Sequence, residues 1–339
     1  LKLGLVTSTR LTHATPAAAY AHSSERNWEY DGELSDSAAA GGCRDIATQF
    51  VDENIIDVAL GGGRRSFQRD VDAQIDDPGQ AGRRTDGISL TEQWLAKNAA
   101  GRVVFDQAGF DGLDRSAGGR VLGLFEPSHL KFDSMNAGEG KDPSLAEMTE
   151  AAIELLSASG DGFVLMVEGG RIDHAHHGGN AYNALADTVA FARAVSAADR
   201  MTSDADTTIL VTADHSHVFT IAGYPTRGNP ILGLVKGNDA SGQPTGRPYL
   251  DTQGKPFTTL GYANGPGAFT GPRSFLSDGD VEAPDHKQHA LIPLNSETHA
   301  GEDVAIYAKG PRSFVVSGVV EQSYVHDVVR YALDLDERP

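Results

Sequence analysis

Metal-binding side chains cluster at three points of this 339-residue sequence. The segment EGGRIDHAHH places Glu168 five residues before Asp173, and Asp173 four residues before His177. Residues four apart share one face of a helix, so we expect Asp173 and His177 to bind one metal ion together. The spacing therefore predicts a metal site where a new helix begins.

Two further segments carry the same types of ligand. ADHSH places Asp214 beside His215 and close to His217, and ETHAG contains Glu297 and His299. Mixed aspartate and histidine sets suit zinc, whereas sets that contain only oxygen ligands suit magnesium. A lone histidine is more often a structural residue, but three segments that each offer oxygen and nitrogen donors favour metal binding.

Short apolar runs, typical of buried strands, lie beside these segments and alternate with helical patterns. The runs cover residues 3–6, 55–60, 102–105, 121–125, 163–167, 207–212 and 304–308, and the helical patterns cover 143–157, 181–199 and 319–335. This alternation predicts an α/β fold with a largely parallel sheet buried on both faces. Ligands bind beyond the carboxyl ends of such strands. Pro143 is expected in a first helical turn, with Asp142 as its cap.

The charge and composition exclude several classes of protein. The sequence has 28 Lys and Arg against 47 Asp and Glu, a net charge of −19, and 40% hydrophobic residues. A double-stranded nucleic acid binder needs a basic face, and a disordered chain lacks the apolar residues for a core. No transmembrane segment is predicted, and the single cysteine, Cys43, excludes an intrachain disulfide. The acidic surface is typical either of a protein adapted to high salt or of an ordinary acidic bacterial protein.

Two regions depart from the main pattern. Residues 233–294 are rich in Gly, Pro, Asp and Thr and have no sustained helical period, so we interpret them as an inserted subdomain. The predicted domains are therefore a core over 1–232, the insert over 233–294, and a return to the core over 295–339. Residues 1–8 have the pattern of a buried strand, and we expect that part of the fold precedes them.

Seven segments, in order along essentially the whole chain, resemble the alkaline phosphatases: THATPAAAYAH, IDVALGGGR, GLFEP, DPSLAEMTEAA, VEGGRIDHAHH, LVTADHSH and ETHAGEDVA. The resemblance implies a three-layer α/β/α fold with a central, largely parallel sheet and a small crown-like subdomain. It also implies hydrolysis of phosphate monoesters to an alcohol and inorganic phosphate through a phosphoserine, at a site with two zinc ions and one magnesium ion.

The resemblance assigns roles residue by residue. Asp173, His177 and His299 match the ligands of the first zinc, Asp214 and His215 those of the second, and Thr15 and Glu168 those of magnesium. Arg26 matches the arginine whose planar fork grips two phosphate oxygens. His13, His174 and His217 match residues that contact ligands or phosphate from the surrounding layer.

Phe125, Glu126 and Asp142 resemble part of the calcium site of animal-type members. The remaining calcium ligand would fall in the acidic segment 70–77. A helix cap at Asp142 and a solvated acidic turn explain the same residues, so the sequence leaves both interpretations open.

The serine nucleophile of the family lies in an Asp-Ser-Ala turn, upstream of the strand at which this sequence starts. We therefore expect the nucleophile to be absent from this chain and to belong to an N-terminal fragment of the same protein. Asp36-Ser37-Ala38 mimics the turn, but the distance from Arg26 to Cys43 is that of the family, and Ser37 would then lie well downstream of the nucleophile.

The resemblance also implies a homodimer in the periplasm or outside the cell. Two alternatives remain. One is another enzyme of the same superfamily, a phosphodiesterase or sulfatase, although these usually lack the combination of Arg26 with THATPA. The other is a protein that binds metals and phosphate without turnover.

Overall fold

Residues 1–69, 82–138 and 141–335 are described in the structure, which is a computed structural model. The segment 70–77, where the remaining calcium ligand was expected, lies outside these residues. Two units divide the chain: the first comprises Leu1–Ile172 and Leu185–Ala194, and the second comprises Asp173–Ala184 and Val195–Pro339. The predicted boundaries at 233 and 294 stay a prediction.

A sheet of five parallel strands forms the centre of the first unit, in the order β3-β4-β2-β1-β5. The strands are β1 (Lys2–Arg10), β2 (Val58–Gly62), β3 (Arg102–Val104), β4 (Val121–Leu124) and β5 (Phe163–Glu168). All five were predicted from apolar runs. The largely parallel α/β sheet is therefore confirmed.

Seven α-helices of the first unit are described: α1 (Ala14–Ala17), α2 (Asp36–Ala40), α3 (Ile46–Glu53), α4 (Arg64–Phe67), α5 (Leu90–Lys97), α6 (Gln107–Asp111) and α7 (Leu145–Ser157). Successive residues of a strand point to opposite faces of its sheet. On one face Leu5 packs in a buried cluster with Phe50 of α3 and Trp94 of α5. On the other face Val6 belongs to the cluster that contains Met148 of α7. The sheet thus has an apolar core on both faces.

Helix α7 begins two residues later than predicted. Ser144 is its N-cap and forms a capping box with Glu147: the Ser144 hydroxyl accepts from the Glu147 N–H, and the Glu147 carboxylate accepts from the Ser144 N–H. Asp142 as the helix cap was therefore wrong. The Asp142 N–H instead donates to Asn136 Oδ1 at 2.7 Å.

The second unit contains short strands and few long helices. Its strands are β6 (Ile209–Val211), β7 (Ser216–His217), β8 (Phe219–Ile221), β9 (Lys236–Asn238), β10 (Pro244–Pro248), β11 (Leu260–Gly265), β12 (Ala290–Pro293), β13 (His299–Ala300) and β14 (Tyr307–Lys309). Two helices, α8 (Arg171–His177) and α9 (Ala181–Met201), have residues in both units, and α10 (Asp278–Val281) and α11 (Tyr324–Ala332) follow. Within the described residues, no helix is both long and apolar enough to cross a membrane.

Strands β6 and β14 differ from the expectation for runs 207–212 and 304–308. They pair with each other, antiparallel, in a two-stranded sheet that is separate from the five-stranded one. An apolar run predicts a buried strand but carries no information about its partner or direction.

The segment 233–294 contains four short strands and one short helix joined by irregular stretches, which explains its weak periodicity. Strand β9 pairs antiparallel with β10, and β11 lies between β12 and β8 in a three-stranded sheet.

Candidate metal centre

Asp173 and His177 lie on helix α8, four residues apart, as the spacing predicted. His177 Nε2 is 3.2 Å from Asp173 Oδ1. The two side chains therefore present an oxygen and a nitrogen donor to the same point.

The short strands β7 and β13 bring the other two segments together. They pair antiparallel, with His299 opposite His217 and Ala300 opposite Ser216. Residues directly opposite in an antiparallel pair hold their side chains close together. The pairing thus places one histidine of ADHSH beside the histidine of ETHAG.

Three imidazoles converge on one carboxylate oxygen, Asp173 Oδ1. The Nε2 atoms of His177, His217 and His299 lie 3.2, 3.0 and 3.2 Å from it. The Nε2 atoms of His177 and His299 are 3.1 Å apart. Such a set of nitrogen donors around a carboxylate suits zinc.

His215 belongs to the same cluster. Its ring stacks on that of His299 with centroids 3.6 Å apart, and one ligand atom each of Asp173, His215, His217 and His299 lie within 4.8 Å of one another. Asp214 is exposed, and its Oδ2 is 3.3 Å from His215 Nε2. The residues predicted to bind two zinc ions therefore occupy one continuous cluster of the second unit.

Charge stabilises this cluster in the protein without metal. Burial opposes ionisation of Asp173, but the hydrogen bond from His217 and the neighbouring imidazoles outweigh it and hold the pKa of Asp173 well below its usual range. Burial also opposes a charge on His217, yet hydrogen bonds to Asp173 and Glu297 raise the pKa of His217 to about 9. A cation therefore belongs at this point, whether it is a proton or a metal ion.

Three residues of the site were not assigned from the sequence: Glu297, His176 and Tyr262. Glu297 is 1% exposed, and its Oε2 is 2.7 Å from His217 Nδ1. His176 stacks on His217 with centroids 4.6 Å apart, and its Nδ1 is 2.8 Å from the Tyr262 hydroxyl. Glu297 had a signal, since it precedes His299 by two residues in ETHAG, whereas no motif marks Tyr262.

The predicted magnesium ligands lie in the first unit. Thr15 is on α1, and Glu168 is the last residue of β5. Glu168 Oε2 accepts hydrogen bonds from Thr7 Oγ1 at 2.5 Å and from Thr9 Oγ1 at 3.0 Å. A carboxylate held by hydroxyl groups supplies the hard oxygen ligand that magnesium prefers.

Arg26 is exposed, and its Nη2 lies 3.2 Å from His13 Nε2. His13 also meets His129 edge to face, with centroids 5.2 Å apart. Arg26 is therefore accessible to an anion, and His13 contacts its guanidinium on one side.

His174, which the resemblance placed in the surrounding layer, lies on α8.

Glu126, Asp142 and Phe125 all lie in the first unit, where Phe125 and Asp142 are buried. Burial, and then the nearby charge of Glu126, raise the pKa of Asp142. Lys131 Nζ is 3.1 Å from Glu126 Oε1. The two carboxylates therefore share the positive charges of Lys131 and of the nearby Arg64.

Ser37 is exposed on α2, and its hydroxyl is 3.2 Å from that of Ser35, the N-cap of the same helix. The Asp-Ser-Ala segment is thus the first turn of a short surface helix.

The family model for alkaline phosphatase matches residues 1–335. The alkaline phosphatase of Gadus morhua is 42% identical over 97% of this chain and 68% of its own length. The tissue-nonspecific isozyme of Gallus gallus is 44% identical over 97% of this chain and 63% of its own length. The chain thus spans about two thirds of the length of these curated relatives.

A solved structure has the same fold. A variant of the alkaline phosphatase from the Antarctic bacterium TAB5, with Mg bound in its M3 site, is 19% identical, with a TM-score of 0.60 over 98% of this chain and 72% of the other. The ordered motifs, the parallel sheet, the imidazole cluster and the match over nearly the whole chain agree, and the chain belongs to the alkaline phosphatase family.

Proposed function

We propose that this chain carries the metal-binding and phosphate-binding residues of an alkaline phosphatase, an enzyme that hydrolyses phosphate monoesters to an alcohol and inorganic phosphate. The observation that carries the proposal is the convergence of His177, His217 and His299 on Asp173 Oδ1. The family and its curated relatives support phosphate monoester hydrolysis.

The donor sets fit two kinds of metal ion. Asp173, His177 and His299 would hold one zinc, and Asp214 and His215 a second. Thr15 and Glu168 would hold magnesium. Bound zinc would lower the pKa of an attacking oxygen and stabilise charge on a leaving one.

The chain's own residues bind and orient the substrate. The planar guanidinium of Arg26 would grip two phosphate oxygens, and His13, at 3.2 Å, would hold that side chain in place. The hydroxyls of Thr7 and Thr9 fix the carboxylate of Glu168. These contacts leave the alcohol part of the monoester unconstrained.

The test is turnover of p-nitrophenyl phosphate by a preparation of the protein that also contains the Asp-Ser-Ala segment with the nucleophile. We expect a chelator to abolish activity, and zinc with magnesium to restore it. Activity that survives exhaustive chelation would contradict the proposal. The variant Ser37→Ala should keep full activity, because Ser37 lies on a short surface helix; its loss would make Ser37 the nucleophile.

We also propose a homodimer, secreted or periplasmic, as alkaline phosphatases are generally secreted or membrane-anchored. Exposed apolar side chains on the β12-β11-β8 sheet, Ile221 at 70% and Leu291 at 81%, support an interface there. Light scattering of the purified protein should give twice the mass of one chain.

A calcium site at Phe125, Glu126 and Asp142 stays a prediction, which calorimetric titration with calcium tests.

A further inference from the structure

Glu297 is the most deeply buried carboxylate beside the imidazole cluster. Its side chain has no exposed surface. Oε2 lies 2.7 Å from His217 Nδ1 and 3.6 Å from His177 Nδ1, and Oε1 accepts from the Val218 N–H at 2.9 Å. Both carboxylate oxygens are therefore occupied by groups of the site.

The backbone of Glu297 also contacts His177, on helix α8. Its carbonyl oxygen lies 2.7 Å from His177 Nδ1, and its N–H donates to the His177 carbonyl at 3.0 Å. Gly265, at φ 135°, makes room: a Cβ added there would lie 3.2 Å from Glu297 Cβ. One residue thus touches both histidines through two different acceptors.

These contacts fix which ring nitrogen carries a proton. A carbonyl oxygen and an ionised carboxylate can only accept hydrogen bonds, so Nδ1 must be the donor in both rings. Nε2 of each ring then faces Asp173 Oδ1, at 3.2 Å in His177 and 3.0 Å in His217, and Nε2 of His177 remains for a metal ion.

We propose that Glu297 is a positioning residue that holds the Nδ1–H groups of His177 and His217, so that Nε2 of His177 faces zinc and Nε2 of His217 faces Asp173, a ligand of the same zinc. This inference rests on the metal centre proposed above. It adds a residue to that centre that touches neither substrate nor metal.

The chemistry of the carboxylate matters as well as its place. Among the described residues, the basic groups within 4.0 Å of Glu297 are His177 and His217, with no lysine or arginine. A carboxylate behind a metal-binding histidine orients the ring and makes it a stronger ligand, and removal of such partners typically costs about 10- to 100-fold in metal affinity.

The variant Glu297→Gln separates the effect of the carboxylate's charge and two acceptor oxygens from the effect of its shape. Glutamine keeps the shape but has one acceptor oxygen, so it cannot accept from both His217 Nδ1 and the Val218 N–H. Zinc alone is titrated into the metal-free full chain. We expect the dissociation constant for zinc to rise about 10- to 100-fold. Glu321→Gln, at an exposed carboxylate of the same unit, is the matched control and should leave zinc affinity unchanged.

The second readout is ¹⁵N NMR of the histidine rings in the zinc-loaded chain. The natural protein should show Nδ1 protonated in both His177 and His217, and Glu297→Gln should show His217 with a mixed or reversed pattern. Unchanged zinc affinity together with an unchanged tautomer in the variant would overturn the proposal. Neither measurement needs turnover, so an inactive chain that binds zinc in this way would contradict the proposed enzyme and leave the role of Glu297 standing.

Discussion

A partly buried aspartate of the second unit, Asp173, and a buried one of the first unit, Asp187, respond to burial in opposite ways. Burial works against the charge of both Asp173 and Asp187. Around Asp173 the imidazoles reverse that effect and lower its pKa. Around Asp187, on α9, the Asp133 N–H at 3.2 Å and the charge of Arg171 are too weak to do so, and burial raises the pKa of Asp187 to about 6.

The opposite pKa shifts of Asp173 and Asp187 indicate what a cation site requires. Burial alone makes a carboxylate easier to protonate, whereas convergent basic groups keep it ionised. The region of Asp173 is therefore arranged for a permanent positive charge, and the region of Asp187 tolerates a neutral acid.

The largest expected effect is on activity. Asp173→Asn removes the negative charge on which three imidazoles converge, so turnover of p-nitrophenyl phosphate should fall by at least about 100-fold. Asp187→Asn should stay within about twofold of the natural protein. Steady-state kinetics with saturating zinc and magnesium measures both. Equal losses of activity in the two variants would contradict the claim that Asp173, and not Asp187, belongs to the metal centre.

The next effect concerns the stability of the first unit. The native state of Asp187 binds a proton more tightly than the unfolded chain, so its contribution to the free energy of unfolding is full at low pH and is lost as pH rises from about 4 to about 6. Asp187→Asn should raise the free energy of unfolding by about 2 kcal/mol at pH 8 and leave it unchanged near pH 4. Urea unfolding at the two pH values checks this, and a variant that is no more stable at pH 8 would contradict it.

Asp173 should behave with the opposite sign. Its pKa is lowered in the native state, so its stabilisation is present above about pH 4 and is lost as pH falls further. In the metal-free chain Asp173→Asn should therefore lower the free energy of unfolding at pH 7 by about 1 kcal/mol, with the difference shrinking as pH falls below about 4. Chemical denaturation after chelation is the measurement. A pH-independent difference would point to packing instead of charge.

The smallest effect tests how far the arrangement around Asp173 extends. Burial, and then repulsion from His217, lower the pKa of His176 to about 4, so its ring is neutral at pH 7. Tyr262→Phe removes the hydroxyl 2.8 Å from His176 Nδ1 and should cost about 1 kcal/mol of stability with little change in zinc affinity. A tenfold loss of zinc affinity would extend the metal centre to Tyr262.

Sequence patterns predicted what depends on local spacing. The pair Asp173 and His177 needed only the period of a helix, and the five strands of the parallel sheet needed only apolar runs that alternate with helical patterns. The capping box at Ser144 and Glu147 was also visible as Ser-x-x-Glu, and the cap was assigned to Asp142 because Pro143 suggested an earlier start.

Contacts between distant segments could not be predicted in this way. The antiparallel pairing of β6 with β14 depends on which strand lies next to which, and no periodicity encodes that. The place of Glu297 under His217 likewise depends on the register of β7 against β13. Tyr262 joins the site through β11, which lies in a segment without a clear pattern.

The pairing of His217 with His299 has a consequence for folding kinetics. His217 and Glu297 are 80 residues apart in sequence, and His177 and His299 are 122 apart. Closing loops of this length costs entropy before any contact compensates it. The cluster should consequently assemble late, and the rate at which a refolding chain acquires zinc reports when its most distant segments have met.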